Sequence, residues 1–214
     1  VGDDGFGRRS MNSLKHEGVW VSGVGTSERP TGCAMVAVDM QGKNFAVVAP
    51  GANMDTRADQ VPDEVFTAKN IVLTQLEVPA AETFSILERA RAHGATTILN
   101  PSPVRKVAPA ALKHVSYLIL NEIEALQIAH SLNVPGNDPA QIAKILAKAG
   151  NLGCIITLEA KGAVAAKGDD VYTIAALPIE VVDSTGAGDA FCGIFAACLQ
   201  EGHDWLSAIH RSEE

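Results

Sequence analysis

From Asn70 onward, short apolar runs alternate with helix-like ones, and this alternation narrows the possible folds more than any other feature of the chain. Ile71 to Leu76, Thr96 to Leu99, Val115 to Leu120 and Gly153 to Leu158 are aliphatic, often β-branched, and too short for helices. Between them lie Ala80 to His93 closed by Gly94, Pro109 to His114, Glu122 to Leu132, and Pro139 to Ala149. The last of these has Asp138 as its N-cap, a proline in its first turn and Gly150 as its stop. Val164 to Lys167 and Val171 to Ala175 read as a hairpin about Gly168-Asp169-Asp170. Strands alternating with helices specify an α/β fold, a mostly parallel sheet flanked by helices. Ligands of such sheets bind beyond the carboxyl ends of the strands.

The first third of the chain has a different pattern. After a helix from Arg8 to His16 come three runs, Val19 to Val24, Gly32 to Val38 and Asn44 to Val48, separated by turn signals at Glu28-Arg29-Pro30 and Met40-Gln41-Gly42-Lys43. They predict a small antiparallel sheet over 19–53, distinct from an α/β core made of 1–18 and 54–214. A net charge of −8 disfavours nucleic acid or an anionic membrane as partner. No apolar run reaches the roughly 18 residues that cross a bilayer. Cys33, Cys154, Cys192 and Cys198 are scattered without paired spacing, which suggests neither a zinc site nor a disulfide framework. A reducing, cytoplasmic setting is expected.

The chemistry-bearing stretch is Val181-Val182-Asp183-Ser184-Thr185-Gly186-Ala187-Gly188-Asp189-Ala190-Phe191. It reads as a strand, a glycine-rich turn and the start of a helix. The apolar run from Ala190 to Leu199 predicts a buried helix closed by Gly202. Gly186 and Gly188 let the backbone approach a ligand closely. The amides from Gly186 to Asp189 would then point out of the helix start as a seat for an anion. A carboxylate at the rim of such a seat, Asp189, suits a general base. The P-loop ending Gly-Lys-Ser/Thr is absent. The dinucleotide fingerprint fails as well, with Phe191 in place of its small third residue and Ala208 where an acid belongs. Spacing alone also allows a plain strand-to-helix turn with a helix-start carboxylate.

The run Asp183-Ser184-Thr185-Gly186-Ala187-Gly188-Asp189-Ala190-Phe191 resembles the C-terminal signature of the ribokinase-like (PfkB) carbohydrate kinases. The resemblance implies that Asp189 is the catalytic base and that the amides of Gly186, Ala187 and Gly188 form an anion hole for the transferred phosphoryl group. Leu73-Thr74-Gln75-Leu76-Glu77 is similar to a segment whose final acid contacts the sugar, which gives that role to Glu77. Asn121-Glu122-Ile123-Glu124 matches the family's Asn-x-x-Glu motif, implying phosphate contact by Asn121 and Mg²⁺ held through water by Glu124. Read locally, the same residues are nearly a helix capping box. Thr157 and Gly162 match a nucleotide-lining segment, but Glu159 stands where the family has glycine. Carbonyls around Asp183 and Thr185 correspond to part of a monovalent-cation site, suited to K⁺. Asn100-Pro101-Ser102-Pro103 and Gly51-Ala52-Asn53 resemble further family segments, although the local reading of Asn100 is a loop cap.

The resemblance runs along the whole chain and implies ATP-dependent phosphorylation of a sugar hydroxyl. D-ribose is the expected acceptor, with fructose or a nucleoside as alternatives. The three strands of 19–53 match the family's lid in order and length, which implies a homodimer paired through that lid. Exposed sheet edges are an independent reason to expect a partner. The sequence opens at Val1 without Met and ends at Ser212-Glu213-Glu214, with neither the family's opening strand and sugar-gripping motif nor its C-terminal segments. It is therefore expected to be an excerpt of a longer chain. A non-catalytic, partner-binding family member is the alternative, and the intact Asp189 loop argues against it.

Overall fold

The computed structural model describes residues 1–38, 44–105, 107–179, 181 and 183–213. They divide into two compact units, Val1–Pro62 with Glu77–Glu82, and Asp63–Leu76 with Thr83–Glu214.

In the smaller unit, α1 (Gly5–His16) is started by Asp4, whose carboxylate accepts from the amide of Gly7 at 2.8 Å. The same carboxylate takes the Thr31 amide and hydroxyl, each at 2.7 Å, and so ties the helix to a distant loop. Strands β1 (Cys33–Val38) and β2 (Asn44–Ala49) pair antiparallel, with Cys33 opposite Ala49. The expected third strand over Val19 to Val24 does not form. Val24 N donates to Val21 O at 3.0 Å, closing a turn over Ser22-Gly23, and Trp20 is 94% exposed. The run has apolar residues but no ladder partner, and a strand requires one. The turn signal at Met40-Gln41-Gly42-Lys43 lies outside the described residues.

The larger unit holds a six-stranded sheet in sequential order, β3 (Ile71–Thr74), β4 (Thr96–Leu99), β5 (Tyr117–Asn121), β6 (Gly153–Thr157), β7 (Ala163–Lys167) and β8 (Asp170–Ile174). The first four are parallel, β7 turns back antiparallel to β6, and β8 pairs antiparallel with β7 as the expected hairpin. Side chains alternate across the sheet, as the pleat requires. Ile98, Ile119 and Ile155 face a cluster with Phe191, Phe195 and Cys198 of α5 (Ala187–Gln200) and with Ala208 and Ile209 of α6 (Trp205–Ser212). Helices α3 (Glu122–Ser131) and α4 (Pro139–Gly150) pack against β5, β6 and β7. Burial on both sides explains why β5 and β6 read as continuous apolar runs. Burying this cluster supplies the dominant favourable term in the unit's stability.

Local details refine three expectations. Helix α4 begins at Asp138 as predicted, but it runs through Gly150 and stops at Asn151, which takes the left-handed conformation at φ 50°. Gly150 is constrained by packing, because a Cβ there would come within 2.5 Å of Leu152 Cδ2. Helix α5 is not buried all round: Phe191, Cys192, Phe195 and Cys198 form its buried face, while Gly193, Ile194 and Ala197 are exposed. The spacing of those four residues is an ordinary amphipathic stripe, which the alanines and glycines between them disguise. The strand expected before the glycine turn is absent from 175–179 and Val181, while Glu180 and Val182 lie outside the described residues.

Candidate active site

Parallel register places the carboxyl ends of β3 to β6 along one edge of the sheet, and the polar residues cluster there. Gln75 and Asn100 directly follow β3 and β4, while Asn121 and Thr157 close β5 and β6 and pair with each other. The first turn of α5 brings Asp189 to this edge. Gln75 Nε2 donates to Asp189 Oδ1 at 3.0 Å and to Asn100 Oδ1 at 3.3 Å. Asn100 Nδ2 in turn donates to Ile119 O at 3.0 Å. Leu73, Thr74, Gln75, Asp189 and Cys192 line a cavity of about 280 Å³. A cavity of about 400 Å³ opens at the amino ends of β3, β4 and β5, but no carboxylate lines it.

The start of α5 is built to leave space. Gly186 is its N-cap in the left-handed region at φ 80°, and no side chain among the described residues caps the helix. Among the described residues, a Cβ at Gly186 or at Gly188 would meet nothing within 4 Å. The Ala187 amide is engaged by Ser184 O at 3.1 Å, whereas among the described residues the amides of Gly188 and Asp189 have no acceptor. Unsatisfied amides at a helix start, with the dipole behind them, attract an anion. Asp183 and Thr185 form an exposed turn in which Thr185 N donates to Asp183 Oδ1 at 2.8 Å, and this bond lowers the Asp183 carboxyl from its ordinary range.

Asn121 and Glu124 form a complete capping box. Glu124 N donates to Asn121 Oδ1 at 2.8 Å, and Asn121 N donates to Glu124 Oε2 at 2.9 Å. Glu124 is only 7% exposed, with Oε1 outside that pair of bonds. Burial, assisted by the charges of Asp189 and then Glu124, pushes the Cys192 thiol up to about 12, so it is no nucleophile at neutral pH. Among the described residues, no group of three or more His, Cys, Asp or Glu side chains could hold a metal by itself. A carboxylate with a free oxygen still fits Mg²⁺, which characteristically takes one or two protein carboxylates and completes its shell with water and phosphate.

Thr157 Oγ1 donates to Leu120 O at 3.3 Å, and the loop after it turns tightly. Gly162 sits at φ 88°, where a Cβ would fall 2.0 Å from Ile174 O. Glu159 takes φ 53°, a left-handed conformation that glycine adopts without steric cost. Glu77 and Asn53 belong to the smaller unit, where Asn53 Nδ2 donates to the Glu77 carbonyl at 3.4 Å and the Glu77 side chain is exposed.

Residues 1–213 match the family described as pfkB family carbohydrate kinase. The chain belongs to that family. Among curated relatives, the ribokinase of Schizosaccharomyces pombe is 32% identical over 210 residues, covering 94% of this chain and 66% of its own. The Bacillus subtilis ribokinase is 31% identical over 214 residues, covering 98% and 69%. The chain thus spans about two thirds of these relatives, and 60% of the Staphylococcus aureus ribokinase. Among solved structures, a Thermotoga maritima ribokinase superposes with a TM-score of 0.89 over all of this chain and 70% of its own; at 23% identity it establishes the fold alone. An Arabidopsis thaliana ribokinase complexed with ribose and ATP gives a TM-score of 0.84 at 26% identity, covering 100% and 71%.

The larger unit therefore brings together Asp189, Gly186, Gly188, Asn121, Glu124, Thr157 and Gly162 at one sheet edge. Gln75 had no functional expectation attached to it, and Asn100 had only the resemblance of its segment beside a local reading as a loop cap. Their position directly after two parallel strands was the available signal, because that edge is where such sheets bind ligands.

Proposed function

We propose that this chain carries the phosphotransfer machinery of a sugar kinase, with ATP as donor and D-ribose as acceptor. The observation that carries the reading is the open start of α5. Among the described residues, two glycines leave space there, two amides lack acceptors, and Asp189 stands beside them with one oxygen held by Gln75. Asp189 Oδ2 accepts no hydrogen bond among the described residues, which leaves it to take the proton from the sugar hydroxyl as that oxygen attacks the γ-phosphate. The amides of Gly188 and Asp189, with Gly186 giving the turn its shape, stabilise the charge that develops on the phosphoryl oxygens. The family resemblance assigns Asn121, Thr157 and Gly162 to the nucleotide and Glu77 to the sugar. Mg²⁺ belongs near Glu124, where it would neutralise phosphate charge, and a monovalent cation such as K⁺ belongs at the carbonyls of Asp183 and Thr185.

Ribose is preferred because the curated relatives are ribokinases and the Arabidopsis neighbour was solved with ribose and ATP. The β1–β2 ribbon is proposed as a lid that pairs two copies. It exposes Met35 and Val36 on its two faces, together with Val47 and Val48. A lone two-stranded ribbon gains stability from added strands. Among the described residues no helix is long and apolar enough to cross a membrane, and a cytoplasmic location is proposed with the kinase.

The test is ribose-dependent ADP formation with ATP, Mg²⁺ and K⁺, compared with fructose and adenosine. Turnover with ribose supports the reading, and dependence on fructose or adenosine instead reassigns the acceptor. Folded chain that binds ATP without sugar-dependent turnover would mean a non-catalytic family member.

A further inference from the structure

We infer that Gln75 is the positioning residue for Asp189, and that the Asn100 amide dictates which way Gln75 faces. This rests on the kinase reading of Asp189. An amide side chain can present either a donor or an acceptor, so a contact with a carboxylate is dependable only if something else fixes the amide. Here a chain of bonds fixes it. The Ile119 carbonyl belongs to the sheet backbone and can only accept. Asn100 must therefore turn its Nδ2 toward Ile119, which it does at 3.0 Å, and its Oδ1 toward Gln75. That oxygen can only accept as well, so Gln75 must present Nε2. One Nε2 hydrogen goes to Asn100 and the other reaches Asp189 Oδ1.

The backbones on either side are pinned too. Asn100 N donates to Thr74 O at 2.9 Å, Leu76 N to Ser102 O at 3.0 Å, and the hydroxyl of Thr83, itself 2% exposed, to Gln75 O at 3.1 Å. Orientation is thus passed from the sheet backbone through two amides to the carboxylate, across 114 residues of sequence. Engaging Oδ1 settles which oxygen stays open and how the carboxylate plane is turned. A base misplaced by about 1 Å is known to cost on the order of 100-fold in rate. A hydrogen bond to a charged group is also among the stronger kinds.

Gln75→Met keeps the length and bulk of the side chain and deletes the donor. Gln75→Glu keeps the shape and sets a second carboxylate against the first. On wild-type chain active in the ribose assay, Gln75→Met should lower kcat on the order of 10- to 100-fold with KM for ATP within twofold and an unchanged melting midpoint. Gln75→Glu should lose more, and Asn100→Ala should lose kcat in the same sense. A Gln75→Met chain with wild-type kcat, or one whose loss lies in KM or in melting, would overturn the inference while leaving the kinase reading intact.

Nuclear magnetic resonance supplies a readout independent of activity. The Gln75 side-chain NH₂ resonances, assigned by their disappearance in Gln75→Met, should move and exchange faster with solvent in Asp189→Ala and in Asn100→Ala. Resonances unmoved by Asp189→Ala would overturn the inference even in a chain without turnover.

Discussion

Helices α1 and α5 both open with aspartate set among glycines, and the two openings are finished in opposite ways. At α1, Asp4 spends its carboxylate on the Gly7 amide and on Thr31, and these donors, the Gly7 amide foremost, hold its carboxyl down to about 2. Gly7 is there because nothing larger fits: a Cβ would come within 2.3 Å of Gly2 O and 2.9 Å of Thr31 Oγ1. At α5 the aspartate caps none of its own helix. Its partner among the described residues is a side chain from another strand end, and among those residues two amides lack acceptors and the glycines face empty space. A carboxylate saturated by its own helix and a neighbouring loop has no capacity left for chemistry. One held at a single oxygen beside unsatisfied amides retains it. The same residue types therefore give a structural joint in one place and a candidate active site in the other.

The largest expected effect tests that division directly. Asp189→Asn should reduce ribose-dependent turnover on the order of 10² to 10⁴ and leave the melting midpoint within a degree or two, since no helix amide among the described residues depends on that carboxylate. The counterpart at α1 is Gly7→Ala. Its methyl has backbone rather than a flexible side chain against it, so the loop or the helix must shift, at a cost on the order of 1–3 kcal/mol. Denaturant unfolding reads that cost. An equal stability loss in Asp189→Asn would erase the contrast.

Asp4 carries the next prediction, and its sign follows from the direction of the shift. The folded carboxyl sits near 2 against an ordinary 3.8, so its stabilisation is complete above about pH 4 and is lost as the pH falls through 2. Melting measured from pH 5 to pH 2 should show acid destabilisation in the wild type, and Asp4→Asn should flatten that part of the curve.

The contrast also shows what a sequence can and cannot disclose. Strand–helix alternation, the Asp138 cap and the β7–β8 hairpin were all legible because each is written in consecutive residues. So was the signature around Asp189, whose local order is the whole of its message. The failures share another cause. Val19 to Val24 has the composition of a strand, but pairing is a non-local event, and a turn at Ser22-Gly23 takes its place. The Gln75, Asn100 and Asp189 chain joins three segments through side-chain hydrogen bonds that no spacing rule encodes. The left-handed Glu159 shows a partial case: the departure from glycine was visible in sequence, but its backbone consequence appears only in the structure. Giving that position back its glycine should stabilise the chain by up to about 1 kcal/mol, measured by thermal melting.

The smallest expected effect, at Gly188, is the most discriminating. Gly188 lies in the first turn of α5, and alanine is favoured over glycine inside a helix by about 0.5–1 kcal/mol. With nothing among the described residues within 4 Å of the added methyl, that gain should be realised, raising the melting midpoint by a few degrees at most. The same methyl enters the space that the proposed reaction reserves for the phosphoryl group, so turnover should fall as stability rises. Opposite movements of stability and turnover are the signature of a position kept small for a ligand. If Gly188→Ala were to gain stability at full activity, the emptiness above α5 would be plain solvent. Its open start would then differ from that of α1 in packing alone, and the assignment of function to that difference would fall with it.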